Sequence, residues 1–281
     1  MRVGLSLGGG GAHGYAHIGA IQALEEAGIK VDLINGTSIG AVIGGAYALY
    51  SDLDKIVRLV EEIIAAVSVR YFNIFRFSGQ MSQPVIRNWI GGALGNVVNL
   101  RGSLLTHRST LRALEMIFGD QEFRDTHIPF SAIATDLVTW KTVVIKEGRL
   151  TDGVLPSISI PGVFPPVARR GQLLVDGGVL ANIPVSELRQ EGADFVIAIR
   201  LPWRIEEGYQ NGFDLLNRVE LMKQNTLEQW QVDDADFAVA IDLPAFDILK
   251  FDEYKSTVAL GYKTTKKALP RLKKRLGERN G

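Results

Sequence analysis

Short apolar runs punctuated by turns alternate along the chain with longer segments of helical period. Arg2 to Leu7 reads as a strand running into Gly8, Gly9, Gly10 and Gly11, after which Ala12 to Ala27 follows a helical apolar rhythm and stops at Gly28. Val31 to Ile34 is a second strand, and the turn Asn35 to Ser38 passes at once into a small-residue helix, Ile39 to Tyr50. This β-α-β-α opening predicts an α/β fold, a mostly parallel sheet with helices on both faces. Further strands are expected in FSAIATDL, KTVVIKEG, QLLVDGG, ADFVIAIRL and DFAVAIDLP, and helices at 52–66, Leu104 to Phe118, 203–231 and Ser256 to Leu276. VLPSISIPGVFPPV reads as a helix passing into a loop broken by its prolines. Residues 68–102 lose periodicity and gather Tyr71, Phe72, Phe75, Phe77 and Trp89 among Arg70, Arg76, Arg87 and Arg101, the composition of a cap or lid insertion. Neither repeats nor a linker divides the chain, so residues 1–281 are expected to form a single domain.

Composition narrows the chemistry. With 31 basic and 31 acidic residues, no overall field draws the protein to nucleic acid. The absence of cysteine excludes disulfides, thiolate nucleophiles and cysteine-ligated metals. The opening MRVGLSLGGGGAHG lacks the apolar core of a secretory leader and no apolar run reaches the length of a membrane span, so a cytoplasmic location is expected. Glycine makes up 30 of 281 residues, about 11% against an average near 7%, and the surplus gathers where chemistry is suspected.

Gly36-Thr37-Ser38-Ile39-Gly40 is a G-x-S-x-G sequence between a strand and a helix, the setting of a nucleophile elbow. Its glycines permit a tight turn that leaves the Ser38 hydroxyl at a helix N-terminus; the alternative is a turn in which Ser38 only caps the helix. Gly9, Gly10 and Gly11 end the neighbouring strand, and their amides are candidates for an oxyanion hole. The same run, Gly9-x-Gly11-x-x-Gly14, also satisfies a dinucleotide fingerprint, but the ribose-binding acid is missing from the end of the second strand, where Asn35-Gly36 stands and Asp32 lies too early. A histidine base is hard to find. His13, His17, His107 and His127 do not follow the serine, acid, histidine order of α/β-hydrolases, and His13 and His17 lack the glutamate and third ligand of a zinc motif, which leaves His17 as a hydrogen-bonded packing residue and no metal expected. Asp176, ending the apolar strand LLVD before Gly177 and Gly178, is the best remaining base, expected at the same sheet edge as Ser38. Asp136 in ATDL is a rival better suited to holding a turn.

Together these blocks resemble the patatin-like phospholipase family over most of the chain. GGGGAHGYAHIGAIQALEEAGI is similar to its glycine loop and first helix, GTSIGAVIGGAYA to its nucleophile elbow, ATDL and SISIPGVFPPV to internal blocks, and LVDGGVLANIPV to its D-G-[GA] element. The resemblance implies a three-layer α/β/α fold and a dyad of Ser38 and Asp176 without histidine. It implies Gly9, Gly10 and Gly11 as oxyanion donors, with Gly14, Gly36, Gly40, Gly177 and Gly178 supporting the motifs. It further implies hydrolysis of fatty acyl esters of lipids by phospholipase A, lysophospholipase or esterase chemistry, with no cofactor. Where the family commonly has a Lys or Arg before the last loop glycine, this chain has His13. The aromatic and basic segment 68–102 and the basic residues from Lys263 onward suit peripheral contact with a membrane surface. A dinucleotide-binding protein and a catalytically inactive interaction module of the same family are the alternatives.

Overall fold

The computed structural model describes residues 1–63, 103, 106–202, 212–243 and 254–280, and the cap or lid expected at 68–102 lies outside them. Among the described residues the strands are β1 (Val3–Leu7), β2 (Leu33–Thr37), β3 (Phe130–Asp136), β4 (Lys141–Ile145), β5 (Val167–Arg169), β6 (Gln172–Asp176), β7 (Phe195–Arg200) and β8 (Phe237–Ala240). They form one sheet in the order β5-β6-β3-β2-β1-β7-β8, with β4 on β3. From β3 to β8 along that order every pairing is parallel, while β4 and β6 run antiparallel to β3, and β5 antiparallel to β6.

Alternation along the central strands builds two cores. Val3, Leu5, Leu7, Ile34, Phe195, Ile197 and Ile199 face the larger one, with the helices α1 (Ala16–Glu26) and α2 (Ile39–Tyr50) and the long helix Tyr254–Asn280. Leu33, Val196 and Ala198 face the smaller one, against Val185 and Leu188 of the helix Val185–Gln190. The result is the three-layer α/β/α arrangement. Strands covered on both faces are apolar at nearly every position, and each fully buried Leu or Ile contributes about 1.5–3 kcal/mol.

One strand and one α-helix were not foreseen in the sequence. β5 is three residues long and follows Pro165-Pro166, which give a ladder no donors, and the helix Val185–Gln190 has six residues, too few for a period to register. The helix expected at 203–231 is described from Gly212 to Asp233.

The register on β3 decides where the chemistry falls. One edge of β3 is paired along Ala132 to Asp136 with β4. The opposite edge is shared: β2 occupies it up to Thr37, opposite Ile133, and β6 arrives from the other direction to end at Asp176, opposite Ala134. Two strands therefore terminate head to head on consecutive residues of a third.

Behind this sheet, α1 crosses the helix Tyr254–Asn280 at backbone contact. A Cβ on Gly19 would run into the Val258 carbonyl and one on Gly261 into the Ala16 carbonyl. Replacing Gly261 by Leu is expected to push the helices apart and destabilise the protein by about 2–3 kcal/mol, read as a lowered urea midpoint; an unchanged midpoint would show that the crossing tolerates separation.

Candidate active site

Ser38 stands between β2 and α2 with φ 54° and ψ −126°, a backbone conformation that L-residues avoid and that stores on the order of 1–3 kcal/mol. The neighbours hold it there. Its amide donates to Ser157 Oγ at 2.9 Å, and its carbonyl accepts from Ala41 and Val42 at 2.9 and 3.3 Å. Thr37 Oγ1 donates to the Ala181 carbonyl at 2.7 Å. Gly40 lies against the Leu7 and Gly8 carbonyls, where any side chain would force the turn away from β1. The Ser38 hydroxyl makes no capping bond to α2, so the helix-cap reading of G-x-S-x-G gives way. Ser38 is 8% exposed, and its hydroxyl stands close enough to the Asp176 carboxylate to favour that group's charged form.

Asp176 reaches the serine by a route the sequence concealed. It was expected at the carboxyl edge of a parallel strand, yet β6 is antiparallel to β3 and delivers its last residue from the opposite direction into the gap beyond Thr37. Its amide donates to the Ser159 carbonyl at 3.0 Å and its Oδ1 accepts the Gly178 amide at 2.8 Å. Burial pushes its pKa up to about 6, against the opposing pull of the Gly178 amide and the Ser38 hydroxyl. Asp136, the rival, is committed to the β3–β4 turn. It accepts from Thr139 Oγ1 at 2.7 Å, the Val138 amide at 3.1 Å and the Leu173 amide at 3.3 Å. These bonds, the Thr139 hydroxyl first, hold its pKa below the usual carboxylate range.

The glycine loop passes directly over Ser38, so that a Cβ on Gly9 would sit 3.2 Å from the Ser38 Cβ. The three loop amides are not equivalent. Gly9 donates to the Asn182 carbonyl at 3.3 Å, so its amide already has an acceptor. Gly10 and Gly11 lie at the N-terminus of the 3-10 helix Gly11–Tyr15, where amides have no intrahelical acceptor. Gly14 packs on Ile39, Gly36 on the Gly40 carbonyl and Gly177 on the Ile133 carbonyl, while Gly178 supplies its amide to Asp176. His13 is buried in the same 3-10 helix, and burial lowers its pKa, away from the fixed cation common at that place. The dinucleotide reading loses its acid, because Asp32 accepts the Val3 amide at 2.9 Å where β1 begins.

Sequence reasoning missed the support beneath the loop. Asn182 Nδ2 donates to Glu228 Oε1 at 2.6 Å, and Glu228 Oε2 accepts from Arg200 Nε at 3.0 Å. Glu228 is wholly buried, and desolvation raises its pKa despite the Arg200 guanidinium. Gln231 accepts the Ile183 amide and donates to the Leu180 carbonyl, both at 2.8 Å. The available signal was Arg200, a charge ending the otherwise apolar run FVIAIR and therefore in need of a buried partner.

A family model described as Patatin-like phospholipase matches residues 5–189. The lysophospholipase nte1 of Emericella nidulans is 34% identical over 197 residues, covering 70% of this chain and 12% of its own length. The lysophospholipase NTE1 of Saccharomyces cerevisiae is likewise 34% identical over 197 residues, with 70% and 10% covered. The chain thus spans about an eighth or less of those relatives. Among solved structures, VipD from Legionella pneumophila superposes with a TM-score of 0.51 at 16% identity, over 96% of this chain and 67% of that one. Human GIVD cytosolic phospholipase A2, in complex with methyl gamma-linolenyl fluorophosphonate, gives 0.51 at 13% identity, over 99% and 59%. Both likenesses concern the fold.

The Asp176 carboxyl has a pKa of about 6 against an ordinary 3.8. Between those values the folded state holds the extra proton, so stability is lost as pH rises through about 6. Asp176→Asn is therefore expected to stabilise the protein at pH 7.5 by on the order of 3 kcal/mol, with the advantage shrinking as pH falls toward the ordinary carboxylate range. Thermal unfolding across that range tests this, and equal melting of both proteins at pH 7.5 would contradict it.

Proposed function

We propose, from the premise that this chain belongs to the patatin-like phospholipase family, that it hydrolyses fatty acyl esters of lipids, lysophospholipids foremost, through Ser38 and Asp176. The observation that carries the reading is the junction of β2 and β6 on consecutive residues of β3, which sets the Ser38 hydroxyl beside a buried carboxylate. A carboxylate raised to about 6 remains ionised at neutral pH and is a stronger base than a solvated one. In the proposed reaction Asp176 takes the Ser38 proton as Oγ attacks the ester carbonyl carbon, whose oxygen becomes an anion facing the Gly10 and Gly11 amides. Collapse of that intermediate breaks the bond to the alcohol, which leaves with the proton from Asp176. Water, deprotonated by the same carboxylate, then attacks the acyl-serine and releases the fatty acid and the free hydroxyl. That the relatives in Emericella nidulans and Saccharomyces cerevisiae are lysophospholipases supports the substrate class.

Contact with a lipid surface belongs to the same proposal. Among the described residues no helix is long and apolar enough to cross a membrane. The β3–β4 turn that Asp136 locks holds out Val138 and Trp140, 68% and 82% exposed, beyond the end of β3 that adjoins Ser38. Amphipathic tryptophan rings favour the boundary between headgroups and acyl chains.

Ser38→Ala is expected to lower hydrolysis of p-nitrophenyl butyrate and of lysophosphatidylcholine by about 10³-fold or more without lowering the melting temperature; undiminished turnover would remove the nucleophile from the account. Trp140→Ala is expected to weaken sedimentation with phosphatidylcholine vesicles several-fold while leaving p-nitrophenyl butyrate turnover unchanged. Equal sedimentation of wild type and variant would separate this turn from the lipid surface.

A further inference from the structure

The amides proposed to hold the oxyanion belong to a run of glycines, the residue with the greatest backbone freedom. Nothing in such a run fixes its own direction, so the surrounding side chains must do so. Immediately before Gly10, the Gly8–Gly9 peptide is held on both sides. Its carbonyl lies 2.7 Å from His17 Nε2. Its N–H, which a trans peptide directs the opposite way, donates to the Asn182 carbonyl at 3.3 Å. The Gly8 amide continues the ladder to Ile199 at 3.1 Å.

The imidazole is suited to one task. His17 is fully buried on α1, and burial lowers its pKa to about 4, so the ring is neutral through the working range. A carbonyl only accepts, so the single ring proton sits on Nε2. Nδ1 is buried and has no hydrogen-bond partner among the described residues. A leucine would fill this space without leaving a ring nitrogen unsatisfied, so packing alone does not account for the imidazole. The donor to Gly8 does.

Resting on the hydrolase reading above, we infer that His17 is a positioning residue. By donating to the Gly8 carbonyl from beneath, against Asn182 on the other side, it holds the peptide orientation that turns the Gly10 and Gly11 amides toward the substrate oxygen. Asn182 is braced in turn by Glu228 and Arg200. His17 acts on the transition state through the loop and touches no reacting atom.

The test compares the wild type with His17→Leu, which lacks the donor, and His17→Gln, which restores an N–H at similar reach. Steady-state hydrolysis of p-nitrophenyl butyrate is measured beside inhibition by an alkyl trifluoromethyl ketone, whose carbonyl adds the serine oxygen to form a tetrahedral oxyanion. His17→Leu is expected to lower kcat by about 10- to 100-fold with KM within twofold, to weaken the ketone by the same factor, and to be rescued largely by His17→Gln. A purely structural role would not move kcat and ketone affinity together while sparing KM. Unchanged kcat in a folded His17→Leu protein, or a His17→Gln as impaired as His17→Leu, overturns the inference and leaves the hydrolase reading standing. Should His17→Leu fail to fold, His17→Met, which keeps the bulk and likewise lacks the donor, must give the same signature, and an unaltered kcat there overturns it. A wild type inactive on every ester would remove the reading and the inference together.

Discussion

The site depends on two strands that end against each other on one edge of β3. Thr37 closes β2 opposite Ile133, and Asp176 closes β6 opposite Ala134. A hydroxyl and a carboxyl separated by more than a hundred residues of chain thereby become neighbours through backbone hydrogen bonding, with no dependence on a flexible loop. Because β4 pairs with the other edge of the same stretch, β3 is braced where the two ends meet. A slip of one residue in either strand would reverse side-chain directions and separate the pair.

This junction concentrates features that are individually unfavourable. Ser38 has a positive φ, Asp176 is a carboxylate out of water, and Glu228 beneath the glycine loop is another buried acid. The two cores around the sheet supply the stability that keeps such conformations in place, and each feature has a specific support. Ser157 meets the Ser38 amide, Gly178 meets the Asp176 carboxylate, and Arg200 with Asn182 meets Glu228. The glycine loop is the inverse case, a segment without preference of its own that takes its direction from His17 and Asn182. Rigid surroundings and a permissive loop are complementary ways of fixing atoms before a reaction begins.

Much of this was legible in the residues. Strand, glycine loop, helix, strand and elbow follow one another as the apolar periods and glycines indicate, because each of these elements is determined locally. The serine and the aspartate stood out for the same reason, as polar residues at strand ends with glycines close by in the sequence. What could not be read was non-local. Nothing in LLVDGG states that its strand runs antiparallel to β3, since strand direction is settled by pairing and not by composition. Nor does the loop sequence reveal that Gly9 gives its amide to Asn182 while Gly10 and Gly11 occupy a helix start. Glu228 looked like an ordinary polar position on a helix until Arg200 and Asn182 closed around it.

The central claim is that Ser38 is a nucleophile activated by Asp176. Intact-mass analysis after treatment with an alkyl fluorophosphonate tests it most directly, applied to the wild type, Ser38→Ala and Asp176→Asn. The account predicts one adduct on the wild type, mapped by peptide sequencing to Ser38, none on Ser38→Ala, and much slower labelling of Asp176→Asn. An unlabelled wild type, an adduct on another residue, or Asp176→Asn labelled as fast as the wild type would contradict it.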